Sequence, residues 1–275
     1  MEAAYSFDLE GYAKRIGFVG TFEPTLAVLE QIQLRHVCSI PFENLSVLQK
    51  VPIDLQPSAL EQKLIHEARG GYCFEQNGLM LRVLRQIGFE VRPISARVRI
   101  ERPRDFMPPR THLVLVVRIE GEDWIFDAGI GSLSLTSPIR LKADCEQPTH
   151  HETRRITNEH GRFFHQALVG DAWKDAYEFT GEEMFAIDCE VGNWFTSTNP
   201  NSKFSQTLTV SRASSNGERL GILNDRFVRR CGGEILEEVH LTSADHLLDV
   251  LAENFSLVFP PGTRFGVAPK PWPTE

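Results

Sequence analysis

Apolar residues recur at helical spacing through the first third of the chain and at strand spacing after it. Leu26, Leu29 and Ile32 follow Pro24 at intervals of three, and Leu81, Leu84 and Ile87 repeat that spacing before Gly88. Such recurrence predicts helices with one core-facing side. Asp8 is placed to cap a short helix that stops at Gly17. Ser58 and Glu61 have capping-box spacing before Leu60 and Leu64, with Gly70 beyond the end. A further helix is predicted from Cys73 to Gln86. The pattern then changes: Phe89–Ile100 and Thr111–Ile119 are rich in β-branched residues, and Trp124–Asp127 predicts a short third strand. The arginine- and proline-rich segment Arg102–Arg110 predicts a loop.

From about 150 to 212 the strand-like signal continues, with Gln206–Arg212 its clearest case. Ser243 opens a final helix through Phe255, with Leu247, Leu248 and Leu251 as its apolar residues. Gly262–Glu275 contains three prolines and reads as an extended tail. Helices first, then strands, then a mixed end give the α+β class, without the regular βαβ alternation of a nucleotide-binding sheet.

Length and composition narrow the picture. A chain of 275 residues supports two or three packed subdomains. Hydrophobic residues make up 41% and charged residues 24%, and no apolar run approaches the ~18 residues that span a bilayer. The N-terminal stretch lacks the apolar core of a secretory signal, so the expected location is cytoplasmic. A net charge of −8 argues against nucleic-acid or anionic-membrane partners. Arginine is nevertheless dense between Arg92 and Arg118 (Arg92, Arg97, Arg99, Arg102, Arg104, Arg110, Arg118). Solvated strand faces explain that density; a site for a phosphate-bearing cofactor is the sharper reading.

Cysteines stand alone at 38, 73, 145, 189 and 231, an odd set without CxxC spacing. Cys73 differs from the others by its surroundings, Arg69-Gly70-Gly71-Tyr72-Cys73-Phe74-Glu75-Gln76-Asn77-Gly78. Two glycines make a tight turn before a helix and put the sulfur in the first turn, where unpaired N–H groups and the positive dipole end favour an anionic sulfur. A packed cysteine at a helix start is the plainer alternative. His150 and His151 with His160 and His165 lack partners at ligand spacing, and no metal is expected.

A thiolate nucleophile needs a base, and the base needs an orienting acceptor. His112 opens the apolar strand Thr111–Val117. If Glu120-Gly121 is a two-residue hairpin turn, Ile119 pairs with Glu122 and Asp127 falls opposite Val114. His112 and Asp127 then share a face as diagonal neighbours, about 7–8 Å apart at Cα. A loop of odd length would separate them. Asp127 ends the apolar run Trp124-Ile125-Phe126, where a buried carboxylate needs partners; capping the following turn is its plainer role. These three residues fit an acyltransferase, a cysteine hydrolase or transglutaminase-like enzyme, and a silent protein that keeps the fold.

The motifs as a set resemble the arylamine N-acetyltransferase family. RGGYCFEQNG at 69–78 is similar to its nucleophile motif. Tyr12–Gly17 with Pro24-Thr25-Leu26, Ile40-Pro41-Phe42-Glu43-Asn44-Leu45, His112–Leu115, Asp127–Gly131 and Asn193–Pro200 with Ser202 and Phe204 resemble further family segments in order. The resemblance covers nearly the whole chain. It implies a helical bundle (1–88), a β-barrel (89–205) and an α/β lid with tail (206–275), the first two similar to cysteine proteases and transglutaminases. It implies Cys73, His112 and Asp127 as a triad, and a structural ion pair between Glu43 and Arg69. Phe42, Thr111, Gly129, Ile130, Gly131 and Phe204 are implied at the substrate or cofactor site. Ala128 and Ile130 stand where valine and phenylalanine are common. The implied activity is ping-pong acetyl transfer from acetyl-CoA through an acetyl-cysteine to an arylamine or hydrazine, with a homodimer allowed but not required.

Overall fold

The computed structural model describes residues 5–267 and 270–272. Helices α1 (Leu9–Ile16), α2 (Leu26–Ser39), α3 (Leu45–Leu48), α4 (Pro57–Glu61) and α5 (Cys73–Ile87) precede the main sheet, with a two-residue strand β1 (Phe42–Glu43) between α2 and α3. Their ends follow local chemistry. The Asp8 carboxylate accepts from Gly11 N–H at the start of α1, and Gly17 ends that helix in the left-handed conformation. Thr25 caps α2 through its hydroxyl, and Gly88, also left-handed, stops α5.

The expected Ser58 cap does not form. Pro57 opens α4 behind Gln56, and the chain runs on as a π-helix over Gln62–His66. Proline suits a first helical turn because the N–H it lacks has no partner there in any case. Glu61 instead accepts from Tyr5 Oη and from Asp8 N–H, tying α4 to the start of the bundle.

Strands β2 (Glu90–Val98), β3 (His112–Ile119), β4 (Glu122–Phe126), β5 (Ile139–Arg140), β6 (Arg154–Glu159), β7 (Arg162–Val169) and β8 (Ala172–Glu183) form one sheet in the order β5-β4-β3-β2-β8-β7-β6. Bridges from Ala143 to Ile156 and from Gln147 to Arg154 connect the segment after β5 to β6, so the sheet curls into a nearly closed barrel. Its interior holds Ile94, Val114, Val116, Ile125, Ile156, Ala176 and Tyr177.

After the barrel come α6 (Ala186–Thr198) and α7 (Lys203–Gln206). The first corrects the expectation of continuing strand, and the second shortens the predicted strand at 206–212 to β9 (Thr209–Ala213). Strands β10 (Glu218–Leu223), β11 (Arg226–Cys231) and β12 (Glu234–His240) extend a sheet ordered β1-β9-β10-β11-β12. Helix α8 (Ala244–Phe255), capped by Ser243, packs on it through Leu247, Val250, Leu251 and Phe255. β1 belongs to this lid sheet although it lies next to the bundle in sequence, so the segment 40–45 ties lid to bundle. The predicted tail at 262–275 includes a short hairpin of β13 (Phe265–Val267) and β14 (Lys270–Trp272); its remaining part at 268–269 and 273–275 lies outside the described residues. The fold is α+β, with bundle, barrel and lid in chain order.

Candidate active site

Cys73 sits at the first position of α5 with 5% of its surface exposed. The turn before it is held from both sides. Arg69 donates from Nε and Nη2 to Glu43 Oε1 (3.1 and 2.8 Å), and Glu43 Oε2 accepts from Leu45 N–H (2.7 Å). Burial raises the Glu43 pKa, but Lys63 and Arg69 outweigh it and lower the value below the ordinary range. Gly70 is required by close approach: a Cβ there would lie 2.1 Å from the Pro41 carbonyl oxygen. Glu75 turns back to accept from Tyr72 N–H (3.1 Å) and pairs with Lys63 (2.5 Å), which fixes the first turn.

Buried side chains behind this turn form a second support. Gln76 donates to the carbonyls of Pro41 (2.9 Å) and Gly71 (3.2 Å) and contacts His36 Nε2 (2.6 Å). His36 in turn meets Tyr12 Oη at 3.0 Å. Burial lowers its pKa to about 4, so the ring is neutral at ordinary pH and donates through one nitrogen while accepting at the other.

His112 and Asp127 meet as the hairpin register requires. β3 and β4 pair Ile119 with Glu122 and Leu115 with Phe126. Glu120 and Gly121 both have positive φ (50° and 83°), as a two-residue type I′ turn demands. Across that hairpin His112 Nε2 donates to Asp127 Oδ2 at 2.8 Å, both groups almost wholly buried. Burial opposes charge on His112, but the Asp127 charge and hydrogen bond, with a further hydrogen bond to Cys73, raise its pKa to about 10. Cys73 Sγ also lies 3.5 Å from the Thr111 carbonyl. The structure therefore brings Cys73, His112 and Asp127 together at the meeting of α5 with the β3–β4 hairpin.

Asn77 completes the junction. Its Nδ2 donates to Asp127 Oδ1 (2.8 Å) and the Leu113 carbonyl (2.6 Å), and its Oδ1 accepts from Ala128 N–H (2.9 Å). Gln33 donates to the carbonyls of Asp127 (3.2 Å) and Leu135 (2.8 Å). Tyr177 packs its ring on His112 with centroids 5.2 Å apart. Gln33 and Tyr177 went unnoticed in the sequence. Asn77 enters the sequence reading only as part of the segment Arg69–Gly78, although its i+4 spacing puts it on one helix face with Cys73.

The residues implied at the substrate side divide. Gly129 abuts Cys73, and Gly131 abuts the Phe42 ring. The Phe204 ring meets those of Phe42 and Tyr72 at centroid distances of 5.8 and 5.7 Å. Thr111 lines a cavity of about 490 Å³ with Ser95, Arg110, Met184 and Phe195. Ile130 instead points into the barrel core with Leu133 and Leu135. A second cavity of about 820 Å³ lies between α3 and α6, beside Asn193, which accepts a hydrogen bond from Tyr72 Oη. Among the described residues no three His, Cys, Asp or Glu side chains assemble as metal ligands.

A cysteine at a helix start, with a buried imidazole and a carboxylate behind it, is the arrangement that thiol-dependent acyl-transfer enzymes use. The comparisons specify the family. The N-acetyltransferase family model matches residues 25–262. An arylamine N-acetyltransferase of Mycobacterium tuberculosis is 40% identical over 256 residues, covering 92% of this chain and 90% of that one. The solved structure of arylamine N-acetyltransferase from M. tuberculosis superposes with a TM-score of 0.87 at 40% identity, covering 90% of this chain and 93% of that one. The Mycobacterium marinum enzyme solved in complex with CoA gives 0.86 at 36% identity, with 90% and 92% covered. The chain belongs to the arylamine N-acetyltransferase family.

Proposed function

We propose that the protein transfers an acetyl group from acetyl-CoA to arylamines and arylhydrazines, in two half-reactions through a thioester on Cys73. The observation that carries this reading is the contact of His112 with Asp127 on one side and with Cys73 on the other, at the head of α5. CoA bound to the M. marinum relative supports the donor, and the relatives' arylamine specificity supports the acceptor.

The roles follow from charge and geometry. Nε2–H of His112 is committed to Asp127, which leaves Nδ1 to accept the Cys73 proton. Asp127 stabilises the resulting imidazolium and holds the ring's orientation. The thiolate attacks the acetyl carbonyl, and coenzyme A leaves as a thiolate that His112 can reprotonate. The amine then attacks the acetyl-enzyme while His112 accepts its proton. An arylamine nitrogen is largely unprotonated at neutral pH, so it needs no prior activation. Backbone N–H groups at the start of α5, that of Cys73 included, stabilise the developing oxyanion.

Thr111 and the 490 Å³ cavity beside it form the approach to the sulfur. Gly129, Gly131, Phe42 and Phe204 line the other side. Glu43 and Arg69 serve structure, by fixing the turn. Residues 1–88, 89–205 and 206–275 act as bundle, barrel and lid; one buried apolar cluster lies wholly within the barrel, whereas the other two pack the bundle against the barrel and the lid.

Initial rates over a matrix of acetyl-CoA and arylamine concentrations test the reading. Parallel double-reciprocal lines are expected, with CoA release in the absence of amine limited to one equivalent per site. Intersecting lines that persist at low product would instead require direct transfer within a ternary complex.

A further inference from the structure

The loop after Asp127 buries Ile130, Leu133 and Leu135 in the barrel core and is held by arginines as well. Three successive carbonyls, those of Ser132, Leu133 and Ser134, each meet a guanidinium. Ser132 O accepts from Arg230 Nη2 (3.1 Å), and Leu133 O accepts from Arg154 Nη1 (2.9 Å). Ser134 O accepts from Arg219 Nη2 (2.9 Å) and Arg154 Nη2 (3.4 Å). Arg154 comes from the barrel on β6, whereas Arg219 and Arg230 come from lid strands β10 and β11.

Glu152 joins the two sources. It takes Arg219 in a fork, Nε to Oε1 at 2.5 Å and Nη2 to Oε2 at 2.6 Å, and Arg154 Nη2 at 2.8 Å. Arg154 and Arg219 are 0% and 4% exposed, so neither is a solvated surface charge. A planar fork matched to a carboxylate fixes direction as well as distance.

The grip is transmitted inward. Ser134 Oγ accepts from Gly131 N–H (3.1 Å) and donates to the Ala128 carbonyl (3.2 Å), and Ser134 N–H donates to Gly131 O (2.9 Å). Moving Ser134 therefore moves Gly131, which abuts the Phe42 ring, and Gly129, which abuts Cys73. Asp127 is held from outside the loop by Asn77 and Gln33, and its Oδ1 also accepts from Gly129 N–H (2.8 Å). The Gly131 end of the wall, which Ser134 holds, can thus shift while Asn77 and Gln33 keep Asp127 against His112.

We infer that Glu152, Arg154, Arg219 and Arg230 are positioning residues that let the lid set the width of the space between the 129–131 loop and Cys73, and so which acceptors reach the acetyl group. The inference rests on the acetyl-transfer reading of Cys73, but its test does not need that reaction.

The test compares Arg219→Gln, Arg219→Lys and Arg230→Gln with the parent protein in the alkylation of Cys73 by a small reagent, iodoacetamide, and a bulky one, N-phenylmaleimide. For Arg219→Gln the ratio of the two rates should move by about five-fold or more, as displacement of about an ångström allows. The pH profile with iodoacetamide should be unchanged, because Asn77 and Gln33 still hold Asp127 against His112. Discharge of the acetyl-enzyme by an arylamine should slow by about ten-fold, with Arg219→Lys recovering part of both effects. Loss of thermal stability with the rate ratio and discharge unaltered would reduce the clamp to scaffold and overturn the inference. If the Arg219 variants fail to fold, Arg230→Gln, at the partly exposed edge, should shift the ratio in the same direction, and an unchanged ratio there overturns it equally. A shifted ratio in a protein that acetyl-CoA does not acetylate would support the clamp while removing the functional reading.

Discussion

Gly129 and Cys73 touch backbone to backbone: a Cβ built on Gly129 would lie 2.6 Å from Cys73 Cα and 3.0 Å from Asn77 Nδ2. Neither neighbour is a flexible side-chain end, since one is main chain at the helix start and the other is bonded to Asp127. Gly129→Ala should therefore displace the nucleophile or the loop. The expected cost is about 1–3 kcal/mol of stability from overpacking, with a fall of at least about 100-fold in acetyl transfer. Urea unfolding and single-turnover rates on the folded variant check the two effects separately.

Asp127→Asn keeps the shape beside His112 and removes the charge. The raised His112 pKa, about 10, means that the folded protein holds this proton more tightly than the unfolded chain, where it titrates near 6.5. The corresponding stability is complete below about pH 6.5 and is lost as pH rises towards 10. The stability difference between parent and Asp127→Asn should shrink across that window. Denaturation midpoints of both proteins at several values from pH 6 to pH 10 measure it, and kcat/KM should fall by several orders of magnitude.

Replacing Arg69 by methionine leaves Glu43, 1% exposed, without the guanidinium that donates twice to its Oε1. Removing one member of a buried pair costs about 3–5 kcal/mol, and Lys63 reduces that loss by its own charge. Restoring balance with Glu43→Gln in the Arg69→Met background should recover part of the stability. A double-mutant cycle by chemical unfolding gives the coupling.

The arginine-dense segment splits in space. Arg110 lines the cavity next to Thr111 and pairs only loosely with Glu182 (3.3 Å). Arg102 and Arg104 line a different concavity on the barrel, where Arg104 is tied to Asp175 and Glu159. Arg110→Ala is expected to raise the KM for acetyl-CoA several-fold with kcat little changed, whereas Arg102→Ala and Arg104→Ala leave KM unaltered. Steady-state kinetics of the three single variants decide the matter.

The contact between His112 and Asp127 was legible because a two-residue turn fixes register, and register fixes which side chains share a face. The setting of Cys73 was legible because glycines before a helix start have few other uses. Helix α6 was not. Of its residues only Gly192 and Thr196 are buried, with Gly192 packed against Phe74, while Ile187, Val191 and Trp194 are exposed. An apolar pattern that faces outward and a buried face made of small residues invert the usual signal. Ser58 misled for the opposite reason, since its capping spacing is real but Glu61 is engaged by Tyr5 and Asp8. Gln33 escaped notice because a polar residue on a helix reads as solvated until the fold shows two carbonyls facing it.

The most direct measurement is the mass of the protein after incubation with acetyl-CoA alone, followed by peptide mapping. The proposal predicts one added acetyl group on Cys73, absent in Cys73→Ser under conditions where thioesters survive and removed when an arylamine is added. An unmodified Cys73 in a protein that still acetylates the amine, or an acetyl group on another residue that the amine discharges, would contradict it.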